Sequence, residues 1–235
     1  MLEGKKVVVT GASRGLGRAI AIACGRAGAT VGFGHRAATE VPDGCIPLRF
    51  DVRDPAAVAA AVATFREKAG RIDGWVNNAG VNHPSLLVAA DPAGVREQID
   101  VNVLGPIVCA QAVLPVMLEQ RAGVILNVSS VAAVRAARGQ AVYAATKGAV
   151  ESLTRALAVE YARKGIRVHA IRPGPVDTDM LAATKSLAED EIVSRVPMKR
   201  VGTPAEIAEL AVWLLSDRAS YATGSIHSID GGYLA

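Results

Sequence analysis

One stretch near the N-terminus decides the fold: Val7-Val8-Val9-Thr10-Gly11-Ala12-Ser13-Arg14-Gly15-Leu16-Gly17. Its β-branched start predicts a buried strand, and a helix is expected over residues 18–27. The intervening glycines let the backbone turn sharply and approach a pyrophosphate, while the N–H groups and dipole of a helix N-terminus favour an anion. The spacing Gly-x-x-x-Gly-x-Gly departs from the Gly-x-Gly-x-x-Gly fingerprint and could mark a structural turn. Its place between a first strand and a helix favours a dinucleotide-binding loop.

Outward from this loop, apolar β-branched runs alternate with alanine-rich helical stretches along the chain. This alternation is typical of a parallel sheet covered by helices on both faces. It predicts a Rossmann-type, doubly wound α/β fold with about seven parallel strands, in a single domain spanning residues 1–235. The predicted strands are residues 7–9, 31–33, 46–50, 75–76, 124–128, 166–171 and 225–229.

Helix boundaries carry their own chemical markers. Three predicted helices start where a capping side chain precedes a proline suited to the first helical position. These pairs are Asp54-Pro55, Asp91-Pro92 and Thr203-Pro204, and Glu206 would complete a capping box with Thr203. Glycines able to adopt the left-handed conformation predict helix ends at Gly28, Gly70 and Gly165. Residues 37–45 are too short and broken for a helix and are expected to form a loop beside an adenosine.

Composition narrows the class of protein. The chain has 235 residues, 51% of them apolar, without an apolar run of membrane-spanning length or a signal peptide, so a cytoplasmic protein with no membrane partner is expected. The net charge of +4 comes without a basic run or stacking aromatics, which favours a phosphorylated or acidic small molecule over nucleic acid. Cys24, Cys45 and Cys109 lack ligand-like spacing, and this predicts buried, reduced thiols and no metal site.

The end of the second strand indicates which dinucleotide is bound. An acidic side chain there would bind the ribose hydroxyl of NAD, but the sequence reads Gly34-His35-Arg36. Arg36 together with Arg14 of the glycine loop could clamp a 2′-phosphate, which predicts NADP as the cofactor. His35 is expected to pack beside the adenosine. The alternative is that both arginines are ordinary solvated side chains.

Tyr143 and Lys147 are the candidate proton-transfer residues. Their i, i+4 spacing in a helical pattern places phenol and ammonium on one face. A buried cation would lower the phenol pKa from about 10 toward neutrality, so that the phenol could donate a proton to a nascent alkoxide. The fifth predicted strand ends in Ser129-Ser130, at the edge where open α/β sheets bind ligands, and a hydroxyl there could hold a substrate carbonyl.

With these motifs in place, the sequence resembles the short-chain dehydrogenase/reductase family over essentially its whole length. The shared motifs are Thr10-Gly11 through Gly17, Asn77-Asn78-Ala79-Gly80, Ser130 thirteen residues before Tyr143, the pair Tyr143-x-x-x-Lys147, and Pro173-Gly174 followed by Thr178. The resemblance implies that Ser130 orients the carbonyl, Tyr143 is the acid/base, and Lys147 binds the nicotinamide ribose and lowers the phenol pKa. It also implies that Asn102 supports a water relay to the lysine, and that Ser129 is structural.

The same resemblance implies a set of cofactor contacts. Asp51-Val52 would bind adenine, residues 78–80 would lie over the adenosine ribose, and Thr178 would hold the carboxamide; each could instead be a cap or turn residue. Asn77 is interpreted as a sheet-stabilising turn residue, and residues 177–195 as a lid over the substrate. The expected NADP contacts are Gly11, Ser13, Arg14, Gly15, Leu16, Gly17, His35, Arg36, Asp51, Val52, Asn78, Ala79, Gly80, Tyr143, Lys147, Pro173, Gly174, Val176 and Thr178.

Within this family the likeness is strongest to the 3-oxoacyl-[acyl-carrier-protein] reductases of fatty acid biosynthesis. It runs through residues 140–147, Asp177-Thr178-Asp179-Met180 and Ile229-Asp230-Gly231-Gly232. It implies reduction of a 3-oxoacyl thioester by NADPH, with an acidic acyl carrier protein docking at Arg121 and Lys164, although these could be solvated surface residues. Alternative substrates are polyketide intermediates, quinones, sugars or other small ketones. A non-catalytic NADP-sensing regulator is disfavoured because all four catalytic positions are filled.

Two questions stay open at the substrate side. Arg135 and Arg138 lie between Ser130 and Tyr143, where they could bind a pantetheine phosphate or a carboxylate, or could point into solvent. Residues 81–84 could line the same pocket, with His83 as a polar wall. Family members usually pair through two long helices, here residues 92–120 and 143–163, so a homotetramer or homodimer is expected.

Overall fold

The computed structural model describes residues 1–181 and 189–235, and these residues form one seven-stranded parallel sheet. The strand order is β3-β2-β1-β4-β5-β6-β7. The strands are β1 (Lys6–Val9), β2 (Thr30–His35), β3 (Cys45–Arg49), β4 (Gly74–Asn77), β5 (Gly123–Val128), β6 (Ile166–Pro173) and β7 (Ile226–Ile229). The predicted doubly wound α/β fold is confirmed, and each predicted strand is found. The order reverses between β1 and β4, the switch point at which such sheets bind ligands.

Helices cover both faces of this sheet. They are α1 (Gly15–Arg26), α2 (Pro55–Ala69), α3 (Pro92–Ile99), α4 (Gly105–Gln120), α5 (Ala141–Tyr161), α6 (Glu189–Ser194) and α7 (Pro204–Leu215). Alternate residues of each strand face opposite sides, so Val8 packs toward α2, α4 and α5, whereas Val7 and Val9 pack toward α1 and α7. Two apolar cores result, one on each side of the sheet.

Most of the predicted helix starts and ends are confirmed. Asp54, Asp91 and Thr203 cap α2, α3 and α7, and Thr203 forms the capping box with Glu206. Gly28, Gly70 and Gly165 have positive φ, as expected of residues that close helices. Residues 36–44 contain neither helix nor strand, which agrees with the expected loop. The first helix differs, because α1 begins at Gly15 and therefore inside the glycine motif.

The long apolar helix predicted over residues 92–120 is not regular throughout. A π-helical turn, Asp100–Leu104, separates α3 from α4. By length and composition, Pro92–Gln120 is the one described helix that could cross a membrane, but most of it is buried. Val113 and Met117 are fully buried in the core, so packing inside the fold accounts for its apolar character.

Candidate active site

A cleft of about 720 Å³ opens at the carboxyl ends of the strands. Gly11 follows β1, Asn78 follows β4 and Ser130 follows β5, and all three line this cleft. Because parallel strands all end at the same edge, motifs that are far apart in sequence meet here. The cleft contains the predicted catalytic residues Ser130, Tyr143 and Lys147 together with most of the expected cofactor contacts.

The glycine loop is locked against the end of β4. Gly11 has a φ of 63°, and a Cβ there would lie 2.8 Å from Cα of Ala79. Asn78 Nδ2 donates to the carbonyls of Thr10 at 3.0 Å and Gly11 at 3.1 Å. The Asn78 side chain therefore holds the loop from behind. A Cβ on Gly17 would overlap both that amide and the Gly11 carbonyl, so this glycine is required by close packing.

The N-terminus of α1 differs from those of α2, α3 and α7, which are capped by side chains. Within the described chain, the N-cap residue Arg14 makes no side-chain capping bond, and the first turn of α1 contains no acidic residue. Gly15 and Leu16 line the cleft, so the uncapped N–H groups of this turn lie beside it. Free donors and a positive dipole end fit the pyrophosphate of a dinucleotide.

The two arginines predicted to clamp a 2′-phosphate, Arg14 and Arg36, both line the cleft, but each faces an acid. Arg14 Nη1 lies 3.7 Å from Asp179, and Arg36 Nη1 lies 3.9 Å from Asp51 and 4.0 Å from Glu97. Both guanidinium groups are largely exposed, which leaves donors available to a phosphate.

Two neighbours of this clamp are held by the protein itself. His35 is buried, with Nδ1 2.9 Å from the Ala37 carbonyl, and it packs against Phe33. The Asp51 carboxylate receives a fork from Arg53, at 2.6 Å and 3.0 Å, and this bond lowers the pKa of Asp51. Asp51 therefore stays anionic at the end of the cleft where adenine binding is predicted.

Tyr143 and Lys147 lie one turn apart on α5, and both are buried. Lys147 Nζ lies 5.6 Å from the centre of the Tyr143 ring and donates to the Val128 carbonyl at 2.8 Å. Burial raises the pKa of Tyr143 to about 12, and a hydrogen bond with Ser130 opposes that rise. Burial also lowers the pKa of Lys147 to about 8. The direction predicted for the tyrosine was a lowering, and the structure shows the opposite because desolvation penalises the phenolate.

Asn102 lies in the π-helical turn between α3 and α4, a kind of distortion that is frequent at functional sites. Its side chain binds both backbone groups of Val81 at 2.9 Å and donates to Thr146 Oγ1 at 3.1 Å. A Cβ on Gly80 would lie 3.3 Å from Asn102 Oδ1 and 3.6 Å from Lys147 Nζ. The asparagine side chain thus fixes the loop after β4, and Gly80 keeps open the space between Asn102 and the lysine.

A buried polar network under the site was missed by the sequence analysis. Ser129 Oγ donates to Glu151 at 2.8 Å, and Arg172 binds both oxygens of that carboxylate at 2.7 Å. Glu151 follows Lys147 by four residues on the same face of α5, so the helical spacing could have revealed it. The network holds the strand end that carries Ser130, in agreement with a structural role for Ser129.

Asn77 stabilises the sheet as predicted, but it does so from within a strand. It lies inside β4, not in a turn, and its amide donates to Asn127 Oδ1 at 2.9 Å. Trp75 donates to Asn77, and Asn127 donates to Thr154 on α5. This chain of hydrogen bonds ties two central strands to the catalytic helix.

The remaining predicted cofactor residues mostly line the cleft. Val52, Pro173, Gly174, Val176 and Thr178 are all on its wall, and Thr178 Oγ1 donates to the Val176 carbonyl at 3.3 Å. The predicted lid, residues 177–195, is described only in part, because residues 182–188 lie outside the described residues. Leu181 and Ile192, on either side of that gap, line the cleft.

The other end of the cleft is lined by Asn82, Arg135, Gln140 and Tyr233. Asn82 Oδ1 is buried and has no hydrogen-bond partner among the described residues. His83 does not line the cleft as predicted; its Nε2 lies 2.9 Å from Glu97 Oε2 instead. Arg138 is exposed and is not among the lining residues.

Arg121 and Lys164 lie at the opposite edge of the sheet. Arg121 caps the end of α4 just before β5 begins, and Lys164 ends the 3₁₀ turn just before β6 begins. At the other end of these strands, Ser130 lies just after β5 and Pro173 is the last residue of β6, both at the cleft. The two predicted docking residues are neighbours in space through Gly165, but the full length of strands β5 and β6 separates them from the cleft.

The cysteines agree in part with the prediction. All three are free, and Cys24 and Cys109 are buried, which raises the pKa of each thiol to about 12. Cys45 is only half-buried, because it begins the edge strand β3.

Comparison with known proteins agrees with this geometry. A family model described as "Enoyl-(Acyl carrier protein) reductase" matches residues 11–234. The chain is 40% identical to the oxidoreductase UcpA of Escherichia coli (strain K12), over 98% of the chain and 95% of that protein. It is 37% identical to the 3-oxoacyl-[acyl-carrier-protein] reductase FabG of Thermotoga maritima, over 98% of both. A solved gluconate 5-dehydrogenase from Burkholderia cenocepacia J2315, in complex with NADP and tartrate, superposes with a TM-score of 0.93 at 31% identity, covering 99% of the chain and 96% of that structure.

Proposed function

Because the chain belongs to the short-chain dehydrogenase/reductase family, we propose that it is an NADPH-dependent carbonyl reductase acting on a 3-oxoacyl thioester. Oxidoreduction between CH–OH and C=O is the activity of that family, whereas the cofactor and substrate are the proposal. The observation that carries it is the meeting of Ser130, Tyr143 and Lys147 with the glycine loop in one cleft.

The cofactor proposal rests on groups at the strand ends. The uncapped N–H groups of α1 fit the pyrophosphate, and Arg36 and Arg14 offer cationic donors where a 2′-phosphate would replace the ribose hydroxyl. Asp51 and Val52 would hold the adenine, and Thr178 the carboxamide. NADPH, when bound, supplies the hydride. Asp51 and Glu97 beside Arg36 add negative charge at the same place, so the preference for NADP depends on the arginines outweighing them.

The protein's own residues supply the proton. Ser130 would donate a hydrogen bond to the carbonyl oxygen, and Tyr143 would transfer its phenolic proton to that oxygen as the carbonyl carbon gains a hydride. The C=O group thereby becomes CH–OH, and the phenol becomes a phenolate that the Lys147 cation stabilises. A Tyr143 pKa near 12 keeps the phenol protonated at neutral pH, which favours the reductive direction.

The thioester proposal is supported by the likeness to the 3-oxoacyl-[acyl-carrier-protein] reductase of Thermotoga maritima. We also propose that an acyl carrier protein docks at Arg121 and Lys164, which requires its acyl chain to reach a cleft at the other end of the strands. Strand β5 alone separates Arg121 from the cleft edge by about 20 Å. A carrier bound there would have to span this distance with its prosthetic arm or deliver its acyl chain to the cleft of a second subunit. The second arrangement would connect this proposal to the expected dimer or tetramer.

The test is NADPH oxidation with matched substrates. We expect turnover of 3-oxoacyl carrier-protein and pantetheine thioesters, with kcat/KM values at least tenfold above those of simple ketones, quinones and sugars. Turnover of small ketones without any thioester would overturn the substrate and keep the carbonyl chemistry. Absence of turnover with every carbonyl, together with tight NADPH binding, would favour a cofactor-sensing regulator.

A further inference from the structure

Three arginines line the cleft, and one of them differs in its surroundings. Arg14 and Arg36 each face carboxylates within 4.0 Å. Arg135 makes no ion pair with a carboxylate among the residues whose side chains are described. Its positive charge is therefore left available at the end of the cleft where Ser130 and Tyr143 lie.

The Arg135 guanidinium is held in place by the C-terminal segment. Its Nη1 donates to the Tyr233 carbonyl at 2.9 Å, and its central carbon lies 5.1 Å above the centre of the Tyr233 ring. Tyr233 is buried against Val131 and Val196, so this support is itself fixed. An arginine has five N–H donors, and the bond to Tyr233 leaves most of the planar fork for another acceptor. A cation positioned in advance loses less entropy when it binds an anion.

The loop that carries Arg135 is close to the reacting groups. The backbone N–H of Ala133 donates to the Ser130 carbonyl at 3.0 Å, and that of Arg135 donates to the Val131 carbonyl at 2.8 Å. One compact turn thus joins Ser130 to Arg135. The opposite wall carries Asn82, whose neighbour Val81 is fixed by Asn102, and Ser85 N donates to the Gly139 carbonyl at 2.9 Å, joining the two loops.

We propose that Arg135 is a specificity residue that binds an anionic group of the substrate, either a carboxylate or the phosphate of a pantetheine arm. A guanidinium fork suits both groups, because each presents two oxygens in one plane. This inference rests on the proposed carbonyl reduction, and it further specifies that the substrate carries a negative charge.

The experiment compares Arg135→Gln with Arg138→Gln on paired substrates. One pair is acetoacetate and ethyl acetoacetate, and the other is acetoacetyl-phosphopantetheine and acetoacetyl-pantetheine. We expect Arg135→Gln to raise KM at least tenfold for the anionic member of one pair, with kcat and the neutral member changed less than twofold. Arg138→Gln removes the same charge from an exposed residue of the same loop outside the cleft, and should leave all four substrates unchanged.

The outcomes separate the two sources of the anion. A selective loss with acetoacetate identifies a carboxylate, and a selective loss with acetoacetyl-phosphopantetheine identifies a phosphate. Equal effects on charged and neutral members, or no effect, would overturn the proposal and leave Arg135 as a support for the C-terminal segment. If the wild type turns over none of the four compounds, the thioester proposal fails on its own. Calorimetric binding of the same compounds to the NADP-loaded protein then tests the role of Arg135. We expect the anionic compounds to bind more weakly to Arg135→Gln than to the wild type.

Discussion

The two ends of the cleft are built in different ways. The half proposed to bind the cofactor, called the cofactor half, comprises the glycine loop, His35-Arg36 and Asp51, and each part lies at the end of a strand or within two residues after it. The half proposed to bind the substrate, called the substrate half, comprises Asn82, Arg135, Gln140 and Tyr233, which come from three segments far apart in the chain. Arg135 and Tyr233, for example, are 98 residues apart. The first half depends on local strand–loop–helix units, whereas the second exists only once distant loops have packed together. This difference explains why residue roles could be predicted for the first half, whereas Arg135 and residues 81–84 in the second were left with alternatives.

The largest effect should come from Tyr143, where the two halves meet. Tyr143→Phe removes the proton donor and should lower kcat by about 10²–10⁴-fold. NADPH affinity, measured by fluorescence titration, should change little, because the phenyl ring keeps its place in α5. Tyr221→Phe, at a fully exposed tyrosine, is the matched control. Near-normal turnover of Tyr143→Phe would exclude the mechanism.

The next effect tests the cofactor half alone. Arg36→Asp places a third carboxylate beside Asp51 and Glu97, so it should repel a 2′-phosphate. The ratio of kcat/KM for NADPH to that for NADH should fall by about 100-fold, the size expected for lost charge-assisted bonds. KM for the ketone should stay the same. Arg26→Gln, at the exposed end of α1, should leave the ratio unaltered; unchanged selectivity in Arg36→Asp would mean that this arginine is an ordinary surface residue.

A third comparison uses two glycines of one helix. Ala at Gly17 would overlap Asn78 and the Gly11 carbonyl, and this overpacking should lower the free energy of unfolding by about 1–3 kcal/mol. Ala at Gly25 meets only Val31 at 4.0 Å and should raise it by about 0.5–1 kcal/mol. Urea denaturation measures both. Effects of the same sign would show that the glycine loop is not packed as tightly as the structure indicates.

The smallest effect is a pH dependence at the junction of the halves. The Lys147 pKa of about 8 means that its cation is present below about pH 8 and lost above it, while Tyr143, with a pKa of about 12, stays protonated throughout. For the free enzyme, kcat/KM for reduction should be flat from about pH 6 to 8 and then fall about tenfold per unit. Lys147→Arg keeps the charge and should remove the fall. A wild-type profile that stays flat to pH 10 would contradict the role given to the lysine.

Several features of the site could be predicted because they depend on neighbours in sequence. The capping residues Asp54 and Asp91 were read correctly, since a cap bonds N–H groups two or three residues away. The start of α1 was placed three residues late, because its first turn is built from the glycines themselves. Asn77 was predicted to stabilise the sheet from a turn, and its position in β4 was missed, because its partner Asn127 belongs to another strand 50 residues away.

By itself the sequence determined the doubly wound fold, the strand positions and the residues able to do chemistry. Periodicity, caps and turn glycines depend on interactions over a few residues, so they can be predicted without the rest of the chain. Only the tertiary structure decided that Arg36 faces two acids and that Glu151 and Arg172 bind beside Ser129. It also decided that Arg121 and Lys164 lie at the amino ends of the strands, and that Arg135 faces no carboxylate among the residues whose side chains are described. The physical reason is that charge and hydrogen-bond partners act through space, and the packing of the whole sheet sets which distant side chains meet.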